Sequence, residues 1–78
     1  MKNFPSQVRA ARGLLNLTQQ DLADISKVSL RTIVQLERGD KQISPSVAQA
    51  LKLSLEAAGV EFLSENNGGG VGVRFKKS

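Results

Sequence analysis

Two short amphipathic segments, separated by only three residues, lie in the middle of the chain at residues 19–26 and 30–38. Thr18 and Ser29 directly precede them, and hydroxyl side chains at such positions accept hydrogen bonds from the free amides of a first helical turn. Gly39 follows the second segment, where glycine commonly ends a helix. The spacing therefore predicts two short helices that are joined by a tight turn and cross at an angle.

The apolar residues of this pair predict how the two helices pack. Asp21 stands three residues after Thr18, which is the spacing of a capping box. Val28 is expected to fill the turn, and the small Ala23 is expected where the helices cross. The residues predicted to be buried on the facing sides are Leu22, Ala23, Ile25, Ile33 and Leu36.

A further helix is predicted on each side of this pair. The first covers residues 6–15, and its helical spacing predicts as its apolar side Val8, Ala11, Leu14 and Leu15. The last begins at Ser44 and Pro45, because serine caps a helix and proline fits its first position. Gly59 stops it, and its predicted apolar face consists of Val47, Ala48, Leu51, Leu55 and Ala58.

After Gly59 the apolar residues alternate with a period of two, which indicates β-strands. Residues 60–63 form one predicted strand, and the turn-rich stretch SENNGGG at residues 64–70 follows it. The second predicted strand has on one face Val71, Val73 and Phe75. A β-hairpin is the natural arrangement of these segments.

The complete pattern predicts a mainly α fold, with a four-helix domain over residues 1–59 and a C-terminal β-hairpin over residues 60–78. The chain has 78 residues, of which 40% are hydrophobic and only 4% aromatic. Such a chain builds one small core, and oligomerisation is a common way to stabilise small cores.

The composition excludes several classes of function. The chain has no cysteine and no histidine, so disulfides and Cys/His metal sites are absent and most catalytic bases and nucleophiles are missing. Asp21 and Asp24 share a helix face, but such surface carboxylates are usually only solvated. We therefore expect no enzyme activity, no cofactor and no small-molecule substrate. Residues 1–7 lack an apolar run, and no stretch approaches the length of a membrane helix, so we expect a cytoplasmic protein without a membrane partner.

The charge and one ordered motif point to a function. Eleven Lys and Arg against seven Asp and Glu give a net charge of +4, which favours a polyanionic partner. The ordered set LTQxxLA…VSxxTIxxLERG, within residues 8–55, resembles the phage-repressor/Cro family, also called the XRE family of helix-turn-helix regulators. The resemblance implies a repressor-like helical domain that binds double-stranded DNA as a homodimer, on a palindromic operator, and regulates transcription.

One residue of the turn departs from this family. Lys27 occupies the position at which the family usually has glycine. A left-handed backbone there costs a residue other than glycine about 1 kcal/mol, which the turn can tolerate.

Within the family pattern, the outer side of the second helix is predicted to contact DNA bases, because the first turns of a recognition helix enter the major groove. Arg31 can bond O6 and N7 of guanine, and Gln35, one turn later, can pair with adenine. Leu30 can pack on a thymine methyl group. Val34 can do the same, or it can be partly buried against the domain.

A second set of residues is predicted to contact phosphates around the recognition helix. It consists of Gln19, Ser29, Thr32, Arg38, Lys41, Arg9 and Arg12. Gln19 begins a helix whose free amides can bind a phosphate. Glu37 is negative beside this surface, and its spacing predicts an ion pair either with Lys41 or with an arginine of the first helix.

The hairpin is predicted to join two subunits edge to edge, because an isolated hairpin is marginally stable and a free strand edge is seldom left unprotected. The residues assigned to this dimer interface are Phe62, Val71, Val73 and Phe75. Alternatively, the hairpin folds back on its own domain and caps the fourth helix. A second function also stays open: an antitoxin or anti-activator whose main partner is a protein, for which the exposed strand edge offers a docking site.

Overall fold

The computed structural model describes residues 3–39, 43–65 and 68–77. Across these residues the chain forms four helices and then a two-stranded antiparallel sheet. The elements are α1 (Phe4–Leu15), α2 (Gln19–Ser26), α3 (Leu30–Arg38), α4 (Pro45–Ala57), β1 (Val60–Leu63) and β2 (Gly72–Phe75). The mainly α fold with a C-terminal hairpin is therefore confirmed.

The predicted caps of the central helix pair are present. Thr18 Oγ1 accepts a hydrogen bond from the Asp21 amide at 2.9 Å, and Asp21 Oδ2 accepts one from the Thr18 amide at 3.0 Å, which completes the capping box. Ser29 Oγ accepts from the Thr32 amide at 3.1 Å, and Gly39 ends α3 in the left-handed region, with φ 76°. Because these contacts lie within four residues of each other, the sequence was sufficient to predict them.

Three element boundaries differ from the prediction. Helix α1 begins at Phe4 rather than at residue 6, because Pro5 fits the first turn of a helix. Helix α4 ends at Ala57, so Ala58 lies beyond the helix and is exposed. Strand β2 begins at Gly72, which leaves Val71 outside it and 40% exposed.

One core joins the helices to the hairpin. It is built from Phe4, Val8, Ala11, Leu22, Ala23, Ile33, Leu36, Ala48, Leu51, Leu55 and Val60. The predicted burial of two residues was wrong, since Leu14 is 37% and Ile25 is 47% exposed. At 100° per residue, each lies about 90° to 110° round its helix from the centre of the buried side.

The hairpin packs against its own helices. Val60 pairs with Phe75 and Phe62 with Val73, and Val60 is fully buried in the common core. The Phe62 ring stacks on the Phe4 ring of α1, with 5.9 Å between ring centroids. Phe62 and Val73, both assigned to a dimer interface, thus pack on the core of their own chain, and the exposed part of that set is Val71 and Phe75.

Replacing Lys27 with glycine is expected to raise the free energy of unfolding by about 1 kcal/mol. Lys27 ends α2 with φ 63° and ψ 18°, a left-handed conformation that costs a side-chain-bearing residue about 1 to 2 kcal/mol. The greater freedom of glycine in the unfolded chain offsets part of this gain. Urea denaturation measures the change, and Lys27→Ala is the matched control. An equal gain in the alanine variant would show that charge removal, rather than backbone strain, is responsible.

Candidate nucleic-acid interface

Helix α3 has a buried side and an exposed side. Ile33 and Leu36 are buried between α3 and the rest of the domain, whereas Leu30, Arg31 and Arg38 are exposed. The turn that connects α2 to α3 contains three residues, so α3 is held by its inner face close to α2. Its outer face is thereby presented to solvent.

The residues predicted to contact bases lie on this outer face. Arg31 and Gln35 are four residues apart, which places them on the same side of α3. Neither side chain makes a hydrogen bond or an ion pair within the described part of the chain. Leu30 is 39% exposed at the first position of the helix. Val34 is half-buried, which agrees with the second of its two interpretations, partial burial against the domain.

The Glu37 carboxylate connects three helices. Its side chain is 4% exposed and accepts hydrogen bonds from Arg12 Nε and Nη2, both at 2.7 Å. Gln19 Nε2 donates to the same carboxylate at 3.1 Å. The predicted pairing of Glu37 with an arginine of the first helix is therefore confirmed for Arg12, whereas Lys41 lies outside the described residues.

This network uses side chains that were predicted to contact phosphates. A third donor of Arg12, Nη1, donates to the Leu17 carbonyl at 3.0 Å. Glu37 raises the pKa of Arg12 above its usual range, mainly through the hydrogen bonds between the two side chains. Arg9 donates to the Glu37 carbonyl and to Ser6 Oγ. The geometry gives Arg12 a structural role, because its guanidinium is directed into the domain.

The other predicted phosphate contacts within the described residues lie near the starts of α2 and α3 and at the end of α3. Ser29 Oγ donates to Thr32 Oγ1 at 2.8 Å, so the two hydroxyls stand together in the first turn of α3. Gln19 is the first residue of α2, and Arg38 is the exposed last residue of α3.

Ser26 supports the turn in a way that the sequence analysis missed. It is buried, its Oγ donates to the Leu22 carbonyl at 2.7 Å, and it accepts from the Val28 amide at 3.2 Å. The hydroxyl thus connects the end of α2 to the residue after the left-handed Lys27. The sequence signal for this role was a serine at the last position of α2, directly before a turn that has lysine in place of glycine.

Within the described residues, no helix has the length and apolar character needed to cross a membrane, and no group of three or more metal-binding side chains occurs. A family model described as helix-turn-helix matches residues 8–55, which is more than half of the chain. No curated protein matches the chain significantly. The match spans the capped α2, the turn and the solvent-facing α3. The chain therefore belongs to the XRE-type helix-turn-helix family of DNA-binding transcription regulators.

Proposed function

We propose that the protein is a transcription repressor that binds a palindromic operator as a homodimer, with α3 in the major groove. The observation that carries this proposal is the outer face of α3, where Arg31 and Gln35 lie side by side without partners in the described part of the chain. Side chains of these two types can each form two hydrogen bonds with a single base.

In this arrangement Arg31 bonds O6 and N7 of a guanine, and Gln35 bonds N6 and N7 of an adenine one turn along the helix. Leu30 packs on a thymine methyl group. Phosphates on either side are bound by Gln19, Ser29, Thr32, Arg38, Arg9 and Lys41. Arg12 is left out of this set, because its guanidinium bonds Glu37 and Leu17 inside the domain and its side chain is only 20% exposed.

A dimer would place two recognition helices about 34 Å apart, as palindromic half-sites require. The hairpin offers Phe75, which is 56% exposed, and Val71, together with its outer strand edge. Bound across a promoter, such a dimer represses by occupying the DNA.

Selection of bound sequences from a random DNA pool tests this function. A palindromic consensus is expected, with guanine and adenine at positions within reach of Arg31 and Gln35. A single non-repeated half-site would contradict the dimer. Failure to enrich any sequence would contradict sequence-specific DNA binding. It would favour the second function, an antitoxin or anti-activator whose main partner is a protein.

Replacing Arg31 with alanine is expected to weaken binding to the selected operator by about 2 kcal/mol, because one bidentate base contact is lost. Fluorescence anisotropy with the operator and a scrambled duplex measures the effect. Arg31→Lys is the matched variant: it keeps the charge but not the planar pair of donors, so it should lose specificity while binding scrambled DNA normally. Equal losses of affinity for the two duplexes would indicate that Arg31 contacts a phosphate rather than a base.

A further inference from the structure

A pocket of about 430 Å³ lies on the hairpin side of the molecule. It is lined by the start of α1, by one residue of α4 and by the loop end of the hairpin. Part of its wall is formed by the stacked rings of Phe4 and Phe62, and Leu63 and Val71 extend this apolar surface. The volume lies within the range of about 300 to 1,000 Å³ that is typical of small-molecule sites.

The walls of this pocket are held in place by Gln7. Its Nε2 donates to the Gly72 carbonyl at 3.0 Å and to the Leu63 carbonyl at 3.3 Å. One amide of α1 therefore fixes both strands of the hairpin at the pocket edge. A site whose walls are fixed before binding loses less conformational entropy when a ligand enters.

One charged group in the pocket lacks a partner. The half-buried Lys52 lines it from α4 and makes no hydrogen bond or ion pair with any residue that the structure describes. The opposite charge, Glu65, is at an exposed position, where water screens it. An ammonium group that stands beside an apolar wall without an ion-pair partner can pair with a ligand carboxylate.

We propose that this pocket binds a small monocarboxylate with a planar apolar body. The body lies against the Phe62 ring and the Leu63 side chain, and the carboxylate pairs with the Lys52 ammonium group. The site is separate from the outer face of α3, and the proposal does not depend on the DNA sequence that α3 recognises.

The test is an NMR titration of the full chain, without DNA, with benzoate, benzyl alcohol and benzylamine. Benzoate is expected to bind saturably, with a dissociation constant on the order of 1 mM for so small a ligand. It should shift the amide signals of Gln7, Lys52 and Leu63. Absence of saturable benzoate binding, or equal binding of benzylamine, would overturn the proposal.

The matched variants are Lys52→Met and Lys77→Met. Both remove one ammonium group, but the exposed Lys77 does not line the pocket. Lys52→Met should weaken benzoate binding by about three- to fivefold, as expected for one solvent-accessible ion pair, and Lys77→Met should leave it unchanged. An unchanged amide spectrum outside the pocket shows that Lys52→Met is folded. Equal weakening in both variants would indicate a general charge effect and would contradict the site.

Discussion

Replacing Glu37 with glutamine is expected to lower the free energy of unfolding by about 3 kcal/mol. Glutamine keeps the shape of the side chain but turns one acceptor into an NH₂ group that faces the Arg12 guanidinium. The two charge-assisted bonds of 2.7 Å then cannot both form. Because the Glu37 side chain is 4% exposed, water cannot replace the lost bond, and the Arg12 guanidinium loses its counter-charge.

Urea denaturation measures this loss, and the hairpin supplies a matched control. Glu61 pairs with Arg74 on the surface, where their side chains are 38% and 62% exposed. Glu61→Gln should therefore cost less than about 1 kcal/mol. If the Glu37→Gln variant is as stable as Glu61→Gln, the hydrogen bonds of Glu37 with α1 and α2 contribute little to the free energy of unfolding. The double variant Glu37→Gln/Arg12→Met should lose less free energy of unfolding than the two single variants lose together, since both substitutions remove the same contacts.

Replacing Phe62 with alanine is also expected to lower the free energy of unfolding by about 3 kcal/mol. The ring stacks on Phe4 and packs against the common core, so its loss opens a cavity between the hairpin and α1. In a chain of 78 residues this is a large part of the total stability. Thermal and urea denaturation at low protein concentration measure the change with little contribution from any dimer.

Phe75→Ala is the matched control, because it removes the same ring from a position that is 56% exposed. Its unfolding free energy at low concentration should change by less than about 1 kcal/mol. If the hairpin forms the dimer, sedimentation should show weaker association for Phe75→Ala. Equal destabilisation by the two substitutions would contradict the inward packing of Phe62. If Phe75→Ala associates as strongly as the unmodified protein, Phe75 is not part of the dimer interface.

The sequence alone was sufficient for the features that depend on near neighbours. The capping box of Thr18 and Asp21, the Ser29 cap and the end of α3 at Gly39 each involve residues at most a few positions apart. Local hydrogen-bonding chemistry therefore predicts them. The ordered motif within residues 8–55 likewise indicated the family, because its order and spacing encode the two packed helices.

The tertiary structure decided the features that depend on distant residues. Ile25 fits a helical apolar pattern, but only the crossing of α2 against its neighbours determines that it faces solvent. Glu37 had several possible cationic partners by spacing, and the packing of α1 against α3 brings Arg12 to it across 25 residues. The sequence left open how the hairpin packs on its own domain, and contacts with Phe4 and Gln7, about 60 residues away, place its inner face on α1. Pairing of its outer edge with a second chain stays a prediction. Periodicity identifies the apolar side of an element, but only the assembled core determines what covers it.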